Sequence, residues 1–216
     1  DGAVVVVVPR GAPISIADGL VAAHGPWIER QLARVAAERA RLVARPALGE
    51  GRLLEVHGIP HRVVIRPDDG RRRGRVERHL GADEEGIAGT LEVVAGDADP
   101  ARLVERWLRT EARAIIGRRV TERAPALGVT PGPISIRAQT TRWGSAARDG
   151  ALSFNWRLVL APPYVLDAVV VHELAHLVVR GHDARFWALA RRHAPRTDEA
   201  RRWLRDHHGD LLAALD

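Results

Sequence analysis

The residues best equipped for chemistry lie close together: His172-Glu173-Leu174-Ala175-His176, with His182 six positions further on. This is HExxH, in which two histidines one helical turn apart hold a zinc ion and the glutamate activates water. On an α-helix, positions four apart share a face, so His172 and His176 can point at one metal. Glu173 lies about 100° round the axis from His172, near enough to serve a metal-bound water without ligating. In a continuing helix His182 would stand about 240° from His176. Gly181 can take the left-handed conformation that ends a helix, which turns His182 back as the expected third ligand.

Three neutral imidazoles leave one zinc ion an open position for water, the arrangement of a catalytic site. Zinc acidifies that water and polarises a carbonyl, and Glu173 is the expected general base. An oxyanion needs a further donor. By type the candidates for that role, or for substrate contact, are Arg142, Asn155 and Tyr164, with Arg157 and His207 behind them. Turn and strand-edge hydrogen bonding is the competing role for Arg142 and Asn155. Trp143, Trp156 and Trp187 read as core.

The surrounding elements must hold these groups. Val165, Leu166, Val169, Val170, Val171, Leu174, Leu177 and Val178 make the HExxH segment apolar nearly all round, the pattern of a buried helix. Histidines and a glutamate inside such a helix are costly without partners, which a metal supplies. Pro162-Pro163 starts that helix, with Asp167 in its first turn. Residues 152–160 alternate, with Leu152, Phe154, Trp156, Leu158 and Leu160 on one face, and predict a half-buried strand whose polar edge can pair with an extended peptide. Beyond His182, Asp183 caps a helix burying Phe186, Trp187 and Leu189. A last helix from about residue 197 buries Trp203, Leu204, Leu211 and Leu212.

Upstream, the run of valines at 4–8 predicts a buried strand, and apolar spacing predicts a helix over 18–45, stopped by Pro46. Residues 53–56 and 62–66 bracket His57-Gly58-Ile59-Pro60, which predicts a β-hairpin, and 91–94 is a partner strand. Between them, 67–90 is charged and glycine-rich; its Arg71-Arg72-Arg73 and Arg75 suit a solvated hairpin tip or a nucleic-acid contact. Asp99 and Pro100 open a helix running to about 123, and 125–133 reads as a linker before a short strand at 134–137.

These elements predict an α+β fold. Residues 1–96 form a β-rich N-terminal lobe with one helix, and 97–216 the domain carrying the chemistry, its HExxH helix packed on a small antiparallel sheet. The 216 residues contain no cysteine, which excludes disulfides, thiolate metal sites and thiol catalysis. All 33 basic residues are arginine, an imprint of genomic base composition before function. A net charge of +6 permits a nucleic-acid partner, although the arginines are spread along the chain. The valine run is too short to span a membrane, so no membrane partner and a cytoplasmic location are the default expectations.

The order Arg142-Trp143-Gly144-Ser145, Asn155-Trp156-Arg157-Leu158, the double proline, Val170 to His176, His182 and Phe186-Trp187 resembles the YgjP-like metal-dependent hydrolases, relatives of the SprT-like zinc proteases. The likeness is most specific over 134–215. It implies a zincin fold with His172, His176 and His182 as ligands of one Zn2+ and Glu173 as catalytic base. A metallopeptidase acting on a peptide or protein substrate is then the expected function. A nucleic-acid-associated SprT-like protease and a non-catalytic metal-binding module are the alternatives. The family's cysteine after Arg-Trp-Gly-Ser is Ala146 here, so any role of that thiol is absent. Metzincins share the histidine spacing, but they need a glycine where Val179 stands and a methionine turn, and this chain has no methionine.

Overall fold

The computed structural model describes residues 4–9, 11, 13–43, 48–67 and 74–216. By contacts the chain divides into two compact units, Asp1–Pro46 and Ala47–Asp216. In the first, a single helix, α1 (Ser15–Val43), continues through Pro26. The valines at 4–8 form no strand: Val5 and Val7 are 81% and 87% exposed, and no described segment pairs with them. An apolar run without a hydrogen-bonding partner has no ladder to join. Pro46 and Arg71-Arg72-Arg73 lie outside the described residues.

The second unit begins with a four-stranded sheet of β1 (Leu53–Val56), β2 (Ile59–Arg66), β3 (Arg75–Leu80) and β4 (Gly89–Val94), ordered β1-β2-β4-β3. β3 falls in the charged stretch read as a hairpin tip, because its exposed residues lack the alternation that marks a strand. His57 and Gly58 join β1 to β2 with φ of 57° and 76°, the left-handed pair of a tight hairpin turn. The His57 N–H donates to the Val159 carbonyl at 2.9 Å. A Cβ on Gly58 would lie 2.8 Å from Pro163 Cδ, so the turn backs closely onto the start of the HExxH helix.

α2 (Pro100–Leu127) is capped by Asp99, whose side chain accepts from the Ala101 N–H, and ends at Gly128 with φ of 67°. It outruns the expected end at 123: Pro125 lies inside the helix, forgoing one backbone bond to the preceding turn, and the helix ends two residues later at Leu127. Its buried stripe Leu103, Val104, Leu108, Ala112, Ile116, Val120 and Ala124 packs on β3, β4 and the HExxH helix. Sheet and helix share one continuous core. The compact unit therefore starts at 47, whereas composition alone suggested a boundary at 96.

The second sheet holds β5 (Ile134–Arg137), β6 (Gly144–Ala146) and β7 (Leu152–Asn155) in the order β5-β7-β6. It is mixed, not antiparallel as expected. β6 and β7 form a hairpin closed at Gly150, while β5 lies on the far side of β7 and parallel to it. Nor does β7 run to 160. The Asn155 side chain accepts from the Arg157 N–H and turns the chain into a 3-10 segment, Trp156–Leu160. Trp156, Leu158 and Val159 there are fully buried, so no polar face exists. Four helices follow: α3 (Pro163–Ala175), α4 (Ala184–His193), α5 (Thr197–Asp206) and α6 (His208–Leu212). No helix among the described residues is long and apolar enough to cross a membrane.

Candidate metal centre

α3 is buried on almost every side, as its composition requires, and packs against α2, α4, α5 and β6. His172 and Glu173 occupy its last turn and His176 is its C-cap. The helix ends without help from Gly181, whose φ is not positive. Leu177 N–H donates to Leu174 O, and Val178 and Val179 N–H to Ala175 O, forming a turn six residues earlier than the expected break. The chain then passes without regular structure to Asp183, which caps α4 by accepting from the Phe186 N–H at 3.0 Å. His182 precedes that cap and faces back towards α3.

The three imidazoles converge. His172 Nε2 lies 3.2 Å from His176 Nε2 and 3.1 Å from His182 Nε2. Nitrogens at about 2.0–2.1 Å from a tetrahedral zinc stand about 3.3 Å apart, so the donor set fits one such ion. Among the described residues this is the group of His and acidic side chains positioned to hold a metal. His176 Nδ1 donates to the Val179 carbonyl at 3.2 Å, which leaves Nε2 its lone pair. Burial, with His176 and His182 alongside, pushes the His172 pKa down to about 3, and burial also lowers that of His176. His172 and His176 are thus held in the neutral form a metal needs.

α4 supplies a platform beneath them. The buried Phe186 ring stacks on His176 at 4.5 Å and meets His172 and His182 edge-on at 4.8 and 4.7 Å. Trp187 stacks on His182 at 5.5 Å. Core was the expectation for Trp143, Trp156 and Trp187. Trp156 is fully buried, while Trp187 braces a candidate ligand and Trp143 lines a cavity. The signal was present in sequence: a cap at Asp183 fixes where Phe186 and Trp187 fall.

Glu173 is 4% exposed, and burial pushes its carboxyl pKa up to about 7 against the opposing charge of Arg142. It faces a cleft of about 340 Å³ shared with Gly144, Ser145, Ala146, Arg180 and the three histidines. A second cavity of about 230 Å³ opens beside it, bounded by Arg142, Trp143, α3 and α5. Arg142 is thus the oxyanion candidate placed at the site. Asn155 and Tyr164 line neither cavity. Asn155 is buried, with Nδ2 donating to Gln139 O at 2.6 Å and Oδ1 occupied by the Arg157 N–H. Tyr164 packs under the Arg196 guanidinium at 3.5 Å, with Glu199 as hydroxyl partner. Arg157 stacks over Trp156 at 4.5 Å, and His207 stacks on Trp203 at 4.2 Å.

The family described as YgjP-like, metallopeptidase domain, matches residues 1–207, and the chain belongs to it. Among solved structures it is similar to the metallopeptidase zymogen abylysin of Pyrococcus abyssi, at 19% identity over 42% of this chain and 93% of that one, with a TM-score of 0.39. No curated protein sequence matches the chain.

Proposed function

We propose that this protein is a zinc-dependent peptidase using His172, His176 and His182 as ligands and Glu173 as general base. The observation that carries the reading is the spacing of the three Nε2 atoms, 3.1 and 3.2 Å from His172, beside a buried carboxylate in the same cleft. A bound zinc ion supplies Lewis acidity, which acidifies water and polarises a carbonyl. Glu173 accepts the proton of the attacking water and passes it to the leaving amine. Its place in the same cleft as the three histidines favours this role. Arg142, which lines the adjoining cavity, supplies positive charge that acts on Glu173.

β6 offers the substrate a backbone. β7 is central in its sheet, so the strand expected to pair with a peptide has both edges occupied. β6 is the edge strand and lines the cleft. Asn155 N–H donates to Trp143 O and Ala147 N–H to Ala151 O, each at 2.8 Å, and Ser145 is in register with Ser153. By antiparallel alternation, the N–H and C=O of Gly144 and Ala146 point away from β7. An extended peptide can bond to them as an added strand.

Elemental analysis of wild type and His182→Ala tests the metal site, with a peptide-hydrolysis assay on wild type and Glu173→Gln beside it. One zinc per wild-type chain, weak retention in His182→Ala, and a zinc-loaded but inactive Glu173→Gln are expected. A wild type that takes up no zinc would overturn the reading.

A further inference from the structure

The geometry points to the cavity beside Glu173 as a specificity pocket for one apolar side chain, of leucine to phenylalanine size, flanking the bond cleaved. This deepens the peptidase reading and rests on it. The pocket and the metal cleft share Gly144, His172 and Glu173, so whatever fills one adjoins the other. Along α3 the pocket residues Ala168 and Val169 stand one helical turn before His172 and Glu173. That is about 6 Å along the axis, against about 3.3 Å per residue of an extended peptide. The side chain next to a bond held at Glu173 spans that distance.

The walls decide the chemistry. Ala168 and Val169 from α3 face Ala200 and Leu204 from α5, with Trp143 alongside. The space exists because positions 168 and 200 are alanine. Its volume is about 230 Å³, and an apolar cavity of roughly 150 Å³ holds a benzene ring. Thr197 also lines the pocket, but its hydroxyl is spent on the Ala194 carbonyl at 2.6 Å. The charged groups of the lining are Glu173, shared with the metal cleft, and Arg142 and Arg201, the latter with its guanidinium 4.2 Å over the Trp187 ring. Between them Trp143, Ala168, Val169, Ala200 and Leu204 make the walls apolar.

The test is a cleavage profile of a mixed peptide library on the zinc-loaded protein and on Ala200→Phe and Leu204→Ala. Wild type is expected to enrich Leu, Phe and similar residues at one position flanking the cut by about tenfold or more over Lys and Asp. Ala200→Phe should shift that position to small residues with zinc content unchanged; Leu204→Ala should shift it to larger aromatics. An even distribution, an acidic preference, or an Ala200→Phe profile equal to wild type overturns the pocket.

Binding separates this inference from the reading beneath it. N-acetyl-leucinamide titrated into zinc-loaded Glu173→Gln should shift the NMR resonances of Ala168, Ala200 and Leu204, and N-acetyl-aspartamide should not. Those shifts, together with a zinc-loaded wild type that cleaves no peptide, would remove the peptidase and keep the pocket. Cleavage with neither shifts nor side-chain preference would remove the pocket alone.

Discussion

The α-carbon of Gly144 lies directly against the carboxylate of Glu173: a Cβ built on it would stand 2.5 Å from Oε1 and 2.7 Å from Cγ. Strand β6 and helix α3 approach so closely here that the residue facing the acid can carry no side chain. Gly144→Ala should therefore displace Glu173 while leaving the histidines in place. A misplacement of about 1 Å in a catalytic group can cost about a hundredfold in rate. The expected result is a fall in kcat/KM of that order with zinc content unchanged, read by steady-state kinetics and elemental analysis.

Two opposed shifts at the site contribute to the pH dependence of the metal-free protein. Glu173 is raised from 4.5 to about 7, so the folded protein binds the extra proton in that window and stability falls as pH rises through it. His172 is lowered from 6.5 to about 3, so there the unfolded chain binds the extra proton and stability falls as pH drops below 6.5. The two offset each other between about 4.5 and 6.5 in wild type. Glu173→Gln removes only the first. Metal-free Glu173→Gln should be more stable than wild type at pH 8, by about 3 kcal/mol, with the gap closing towards pH 4.5. Denaturant titrations at several pH values measure it, and a gap independent of pH would contradict the burial of that carboxyl.

Phe186 supports all three imidazoles from a fully buried position. Phe186→Ala should cost about 3–5 kcal/mol of stability. Phe186→Leu keeps most of the volume and loses the flat face, so it should weaken zinc affinity more than it lowers the Tm of the metal-free protein. A competitive chelator titration beside a melting curve distinguishes the two effects.

Asp167 was expected in the first turn of the HExxH helix and stands at its fifth position. Its carboxylate takes a two-pronged bond from Arg123 on α2, at 2.8 and 2.7 Å. This pair joins the two long buried helices behind the site. Asp167→Asn should lower stability by about 1 kcal/mol, a loss that deepens only slightly on removing added salt, since Asp167 is largely shielded. Urea unfolding at two ionic strengths checks this.

The sequence revealed the site better than its surroundings, for reasons that particular residues make plain. His172, Glu173 and His176 lie within one helical turn, where a fixed period converts spacing into geometry. His182 was also identified, though through a glycine that does not act: the capping Asp183 aims it, and the helix breaks earlier. The direction of β5 was hidden because three-residue β6 has no alternation to announce it, and the β5–β7 pairing passes over it. Asn155 looked like a site residue because a side-chain amide suits an oxyanion and a turn cap equally. Ala168 and Ala200 could not be seen at all: two alanines on separate helices become a pocket only once the helices are packed.

Trp187 stacks face to face on His182, with the Arg191 and Arg201 guanidinium groups also over its ring. Indole emission responds to the charge and motion of whatever lies on its face. The proposed third ligand thus carries its own optical gauge: occupancy of the centre can be followed in real time as the fluorescence difference between wild type and Trp187→Phe, without labels and without a substrate.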